Sequence, residues 1–250
     1  MARTESTTPS TYYEFFRPFR AQWATLKEVA SGEVHGRALF GIEYLFLVTV
    51  CAFLLVMPSQ VVRAISEMVG GSIRKVGIEI YAIAKPVFAI FILFTGRYES
   101  PIWTLIVAVL LFDLYLSLSS LVFLRHFFTG PSSRGRSVIL LGINFVEAVS
   151  AYAVFYGYFG SVAHMVATAA SGLPASIDIL YFSCATAVAV GYGDLLVVTG
   201  IGKGIAIIQM LSSLGFVSIF LTTFVSDFAG NRSHSMLLHP HHDKDETHRG

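Results

Sequence analysis

The chain has 250 residues, of which 54% are hydrophobic and only 13% charged. A soluble domain carries about 25% charged residues, so this composition excludes an ordinary soluble fold, and a net charge of +1 gives no electrostatic case for nucleic-acid binding. The apolar residues fall in long runs between short charged stretches, which is the pattern of membrane spans and leaves no room for a separate soluble domain.

Residues 1–37 are polar but carry Tyr12, Tyr13, Phe15, Phe16, Phe19 and Trp23, interleaved with Arg17, Arg20 and Lys27. That mixture predicts a helix lying in the lipid headgroup layer. The first strong apolar run begins only after about 37 residues, too late for a cleavable leader. Residues 38–57 read as a first span, with Glu43 near its start and Pro58 as its stop. Residues 59–76 read as a short amphipathic helix and a turn. Residues 77–95 read two ways. Val87 to Phe94 is strongly apolar, but Glu79, Lys85 and Pro86 interrupt the first half, and the uninterrupted part falls short of the roughly 20 residues a span needs. Residues 102–124 are a clear span containing Asp113, an acid that either serves function or pairs with a neighbouring helix. After a basic loop with Arg125, His126, Arg134 and Arg136, residues 138–159 form a span carrying Asn144 and Glu147. Residues 200–226 are the last long apolar run. Cys51 and Cys184 lie in apolar segments and read as small buried thiols rather than a disulfide or metal site.

The informative segment lies between the last two spans. Pro174 and Ser176 suit a helix start, and about twelve helix-compatible residues follow. That is too short to cross a bilayer, and it ends in Val190-Gly191-Tyr192-Gly193-Asp194. A short helix followed by irregular backbone between two spans predicts a re-entrant loop, tolerated at membrane depth only inside protein or beside water. Glycine permits positive φ, so alternating ordinary residues with Gly191 and Gly193 turns successive carbonyls toward one axis. Stacked carbonyl rings around such an axis replace the hydration shell of a potassium ion. Tyr192 then points away from the axis, toward Tyr181 and Phe182, with Asp194 at the outer end.

This segment resembles the pore loop of the tetrameric potassium channel superfamily, whose filter reads T-V-G-Y-G-D. Val190 through Asp194 match, and the likeness extends back to Thr186-Ala187 and forward to Thr199. It covers roughly residues 138–226 as outer helix, pore loop and inner helix. The resemblance implies an all-α membrane protein with four or five transmembrane helices, a re-entrant pore helix and filter, and a fourfold symmetric homotetramer, since one filter copy is present and a pore needs four. It implies potassium ions held by the carbonyls of Ala189, Val190, Gly191 and Tyr192, with Gly193 and Asp194 at the outer end and Tyr181, Phe182 and Thr186 as support. It implies no other cofactor and no small-molecule substrate. The partners it implies are the lipid bilayer and three further copies of the chain, in the plasma membrane. Three departures stand out. Ala189 replaces the filter threonine, so the innermost ion site lacks a hydroxyl. Ala185 stands where some relatives carry glutamate. Leu195-Leu196-Val197 stands where a proline often follows.

The inner helix is expected over 200–228. Gly215 is a candidate hinge or a close-packing site. Thr222, Thr223, Ser226 and Asp227 are candidates for the lower cavity or cytoplasmic mouth. The expected organisation is an N-terminal segment (1–37), an N-terminal transmembrane region (38–124), a pore domain (138–228, with its pore loop at 174–194) and a cytoplasmic tail (229–250). No span carries arginine at every third position, which argues against a voltage sensor. His239, His241, His242 and His248 read as metal-binding, pH-sensing or simply tail residues. Asn231-Arg232-Ser233 matches a sequon, but on a cytoplasmic tail.

An outward filter makes residues 125–137 cytoplasmic, in accord with their arginines. Basic residues before and after 38–57 both argue for inside. The four-span version is preferred, with 77–95 as the weakest span and the N-terminus inside. The alternatives to a potassium-selective channel are a weakly selective cation channel, because of Ala189, a transport-system subunit of the type with four degenerate pore loops in one chain, and a membrane scaffold without flux. No acid–base pair, nucleophile or metal motif has the spacing of an enzyme.

Overall fold

The computed structural model describes residues 11–34, 37–38, 40–69, 73–123, 134–160, 162–164 and 176–238. In chain order these form α1 (Thr11–Ala30), the strands β1 (Glu33–Val34) and β2 (Arg37–Ala38), α2 (Gly41–Leu54), α3 (Pro58–Val69) and α4 (Ile73–Phe94). A 3₁₀ turn (Arg97–Glu99), α5 (Pro101–Phe123), α6 (Arg134–Tyr158), β3 (Val162–His164), α7 (Ser176–Ala187), β4 (Leu195–Val197) and α8 (Gly200–Leu238) follow. Strands β1 and β2 pair antiparallel, as do β3 and β4. The protein is therefore an all-α membrane protein with two minor strand pairs. The tail histidines, Pro174 and the loop residues Arg125 and His126 lie outside the described residues.

Among the described residues four helices are long and apolar enough to cross a bilayer, Val76–Phe94, Pro101–Ser120, Val138–Tyr158 and Gly200–Thr222, and the bent pair Gly41–Leu54 with Pro58–Met68 passes the same test together, as a broken span or a re-entrant loop. Their membership differs from the sequence expectation in two places. Residues 76–94, read as the weakest span, are part of one unbroken helix despite Pro86. Lys85 does not break the span because it is buried against an acid on α6 rather than facing lipid. Residues 38–57, read as the first strong span, contain only the 14-residue helix α2, about 21 Å at 1.5 Å per residue. Leu55–Met57 break the helix, and Pro58 occupies the first position of α3, where its missing N–H has no helical acceptor to lose. The two arms are bent by 54°.

Helix α6 is the centre of the packing and touches α4, α5, α7 and α8. Small residues Ala148, Ala151 and Ala153 let neighbours approach, and Tyr152 and Tyr156 fill the space between them. Ile92 and Leu93 of α4, Val107, Leu111 and Leu114 of α5, and Phe216 of α8 complete this core. At the outer end a Cβ on Gly157 would lie 3.0 Å from the Tyr98 ring, so glycine is what lets the 3₁₀ turn seat against α6. Helix α1 packs along both arms of the bent pair. Arg17 meets Glu67 at the end of α3 at 3.5 Å. Tyr44 near the start of α2 donates to the Ala30 carbonyl at 3.2 Å. Cys51 is buried beneath α1 with Val29 and Leu47, while Cys184 is exposed on α7, and both are free thiols.

Candidate functional site

The site is built on α7, whose 12 residues are too few to span. Its start is tied to the N-terminal region: Ser176 Oγ donates to the Leu93 carbonyl at the end of α4, at 2.9 Å. Asp178 in the first turn complements the positive end of the helix dipole. The helix ends in a paired-hydrogen-bond cap. Ala189 N–H donates to Thr186 O at 3.2 Å, and Val190 N–H to Ala185 O at 3.0 Å. This is the Schellman arrangement, which requires a left-handed residue just past the helix. Ala189 is that residue, with φ of 55°, the one non-glycine at positive φ among the described residues.

Beyond the cap φ alternates in sign. It is positive at Ala189, at Gly191 (63°) and at Gly193 (81°), and not at Val190 or Tyr192. A period of two in φ turns successive carbonyls to one side of the strip. A Cβ added at Gly191 or Gly193 would meet nothing within 4 Å in the protomer, so these positions need glycine for its backbone rather than for space. Residues 188–192 are exposed on the single chain.

The outer end folds back on α7. The Tyr192 ring stacks on Tyr181, with centroids 6.0 Å apart and planes at 15°. The Tyr181 hydroxyl lies in electrostatic range of the Asp194 carboxylate, which accepts from Leu195 N–H at 3.1 Å. Phe182 does not join this stack. It meets Tyr156 of α6 edge-on at 5.0 Å. Thr186 contributes its carbonyl to the cap. Leu195, Leu196 and Val197 form β4 and pair with His164, Ala163 and Val162. Proline at Leu195 would remove the N–H that Asp194 holds.

Behind α7 lies a buried polar clamp that sequence reading missed. Gln209 of α8 is 1% exposed. Its Nε2 donates to Ser183 O at 2.8 Å and to Ser183 Oγ at 2.9 Å, and its Oε1 accepts from Tyr156 OH at 2.8 Å. Ser183 Oγ donates in turn to Val149 O of α6 at 2.7 Å. One turn further along α8, Ser212 lies 3.3 Å from Tyr152 OH, which lies 3.0 Å from Tyr115 OH of α5. The available signal was a lone amide in an apolar run, since polar side chains in membrane helices serve as interhelical contacts.

Lower on α8, Gly215 is exposed and a Cβ there would meet nothing within 4 Å, so no close packing within the protomer explains it. Thr222 Oγ1 donates to Ser218 O of its own helix at 2.8 Å. Thr223, Ser226 and Asp227 lie further along α8, which continues to Leu238, ten residues past its expected end. Their side chains lie outside the description.

A second cluster joins the N-terminal helices to α6. Asp113, 1% exposed, accepts from Ser59 Oγ at 2.6 Å and Tyr81 OH at 3.1 Å, with Arg63 in electrostatic range. Lys85 Nζ lies 2.9 Å from Glu147 Oε2 and 5.0 Å from the Tyr81 ring centroid. Two cations and two carboxylates thus balance across α3, α4, α5 and α6. Asp113 and Glu147, noted in sequence as intramembrane acids, both have partners.

Residues 151–229, from within α6 through the strip to α8, match a protein family described as ion channel. No curated protein and no solved structure matches the chain.

Proposed function

We propose that this chain, whose residues 151–229 match a family described as ion channel, is one of four identical subunits of a potassium-selective channel of the pore-loop type. The observation that carries the reading is the alternation of positive φ at Ala189, Gly191 and Gly193, directly after a capped half-length helix. Four strips around a common axis stack the carbonyls of Ala189, Val190, Gly191 and Tyr192 into rings that substitute for the water around a dehydrated potassium ion. The Tyr181–Tyr192 stack and the Asp194 carboxylate on Leu195 N–H brace the strip from outside. Conduction is passive. The pore domain runs over 138–228, Gly215 is its hinge, and Thr222, Thr223, Ser226 and Asp227 line the route to the inner mouth. Fourfold closure supplies the pore and covers the exposed apolar face of α8, where Ile207, Leu211 and Leu214 face outward.

The topology follows from α1. That helix carries Glu14, Arg17, Arg20, Lys27 and Glu28 and does not cross a membrane. It touches α3 at one end and α2 at the other, so the two ends of the bent pair lie on the same side as α1. With the filter outward, α6 runs outward, α5 inward and α4 outward, and α1 with both ends of the bent pair lies on the cytoplasmic side. Arg17, Arg20, Lys27, Arg63, Arg74 and Lys75 then all lie inside, as the positive-inside rule requires. The multi-pass protein resides in the plasma membrane.

Ala189 favours a second reading, a weakly selective cation channel. The innermost ring lacks a hydroxyl, and the left-handed φ of 55° disfavours a β-branched side chain there. The reversal potential of purified protein in a bilayer, potassium on one side and sodium on the other, decides. A value near the potassium equilibrium potential supports the first reading. A value near zero replaces it with the second.

A further inference from the structure

We infer that Gln209 is a positioning residue for the filter: it fixes the rotation of the last turn of α7 and couples that turn to the inner helix. The inference rests on the channel reading but not on potassium selectivity. The route is short. Gln209 Nε2 holds both the carbonyl and the hydroxyl of Ser183. Two and three residues further on, Ala185 and Thr186 offer the carbonyls that receive the N–H groups of Val190 and Ala189. The carbonyls of residues 183 to 186 therefore each carry a bond that sets either the helix rotation or the start of the strip. Turning α7 about its axis would pull the inner carbonyl rings off the common axis.

The clamp is built to hold rather than merely fill. Gln209 makes three hydrogen bonds to two other helices, and Ser183 adds a fourth contact to Val149 of α6. Both side chains are essentially fully buried, so no solvent competes for them. Gln209 and Ser212 anchor the upper part of α8 to α6 and α7, and Gly215 is the first glycine beyond both contacts. The segment above Gly215 thus stays fixed to the filter, and just below it Phe216 keeps α8 on the core against Phe145 and Tyr115.

The test is single-channel recording of Gln209→Met, which keeps volume and removes the amide, beside wild type and Tyr115→Phe. The last deletes a part-buried hydroxyl contact on the same bundle without touching α7. Tetramer assembly is checked by size-exclusion chromatography. The expected result is at least a twofold change in unitary conductance for Gln209→Met, and a roughly tenfold lower potassium-to-sodium permeability ratio if wild type is selective. Tyr115→Phe keeps wild-type values for both. Ser183→Ala reproduces the Gln209→Met phenotype, and Ser183→Thr, which keeps the hydroxyl, restores most of it. If Gln209→Met does not assemble, Tyr156→Phe takes its place, with a smaller effect in the same direction. Unitary conductance unchanged in the assembled clamp variants overturns the inference. A wild type that conducts without discriminating sinks the potassium reading alone, and the conductance comparison still decides the role of Gln209.

Discussion

The two halves of the molecule are held together by different chemistry. Behind α7 and the Val190–Asp194 strip the buried contacts are neutral: Tyr156, Gln209, Ser183 and the Val149 carbonyl. Among the N-terminal helices and at their seam with α6 they are charged: Arg63 near Asp113, and Lys85 against Glu147. A fixed charge beside a cation pathway acts on every ion that passes, because Coulomb energies grow as the local dielectric falls. Amides and hydroxyls give direction and distance without that field. Away from the pathway charges are tolerated once they are paired, and they bind helices tightly because neither partner can leave alone.

Removing one member of the charged cluster tests that contrast most strongly. Lys85→Met leaves Glu147, 2% exposed, without its cation, and a stability loss of about 3–5 kcal/mol is expected. Thermal unfolding in detergent measures it, and Lys85→Met combined with Glu147→Leu recovers most of the loss. A single variant that unfolds like wild type would mean that the pair does not hold α4 to α6. Breaking the neutral clamp costs less. Gln209→Met strands the Tyr156 hydroxyl, and about 1–3 kcal/mol is expected, so on the same assay it falls below Lys85→Met. The reverse order would remove the distinction drawn between the two halves.

The filter backbone gives the smaller effects. Gly191→Ala forces a side chain to φ of 63°, costing about 1–2 kcal/mol per subunit and abolishing unitary current. Ala189→Gly relieves the same conformation at the cap and raises stability by about 1 kcal/mol. Ala189→Thr, which restores the family's hydroxyl, lowers it, because a β-branched residue resists positive φ. It also alters block by internal cations. Equal melting temperatures for Ala189→Gly and Ala189→Thr would show that the cap does not constrain this position. Gly215→Ala, in a helix with open space at that site, raises helix stability by about 1 kcal/mol and shortens channel openings.

The pore segment was legible because its information is local. Ser176, the twelve helix-compatible residues and the Val190–Asp194 strip follow one another, and positive φ at glycine is a property of single residues. Tyr181 and Tyr192 were also within reach, being eleven positions apart at the two ends of one short loop. Ala189 was flagged for the hydroxyl it lacks. Its place as the left-handed cap of α7 emerges only from the hydrogen bonds of Val190 and Ala189.

What composition and motif determined by themselves was a multi-pass membrane protein and the Val190–Asp194 strip, read as the filter of a channel. Which helices cross, and what holds them, was decided by tertiary structure. Lys85 reads as an interruption of a span until Glu147, 62 positions later in sequence, is placed 2.9 Å away. The apolar run 38–57 reads as one straight span until Leu55–Met57 break it into two arms bent by 54°, with α1 along both. Gln209 reads as one polar residue in an apolar helix until Ser183 and Tyr156 close on it. In each case hydropathy counts a residue by its own transfer energy. A buried polar group is governed instead by the partner that replaces water, and that partner is supplied by the fold.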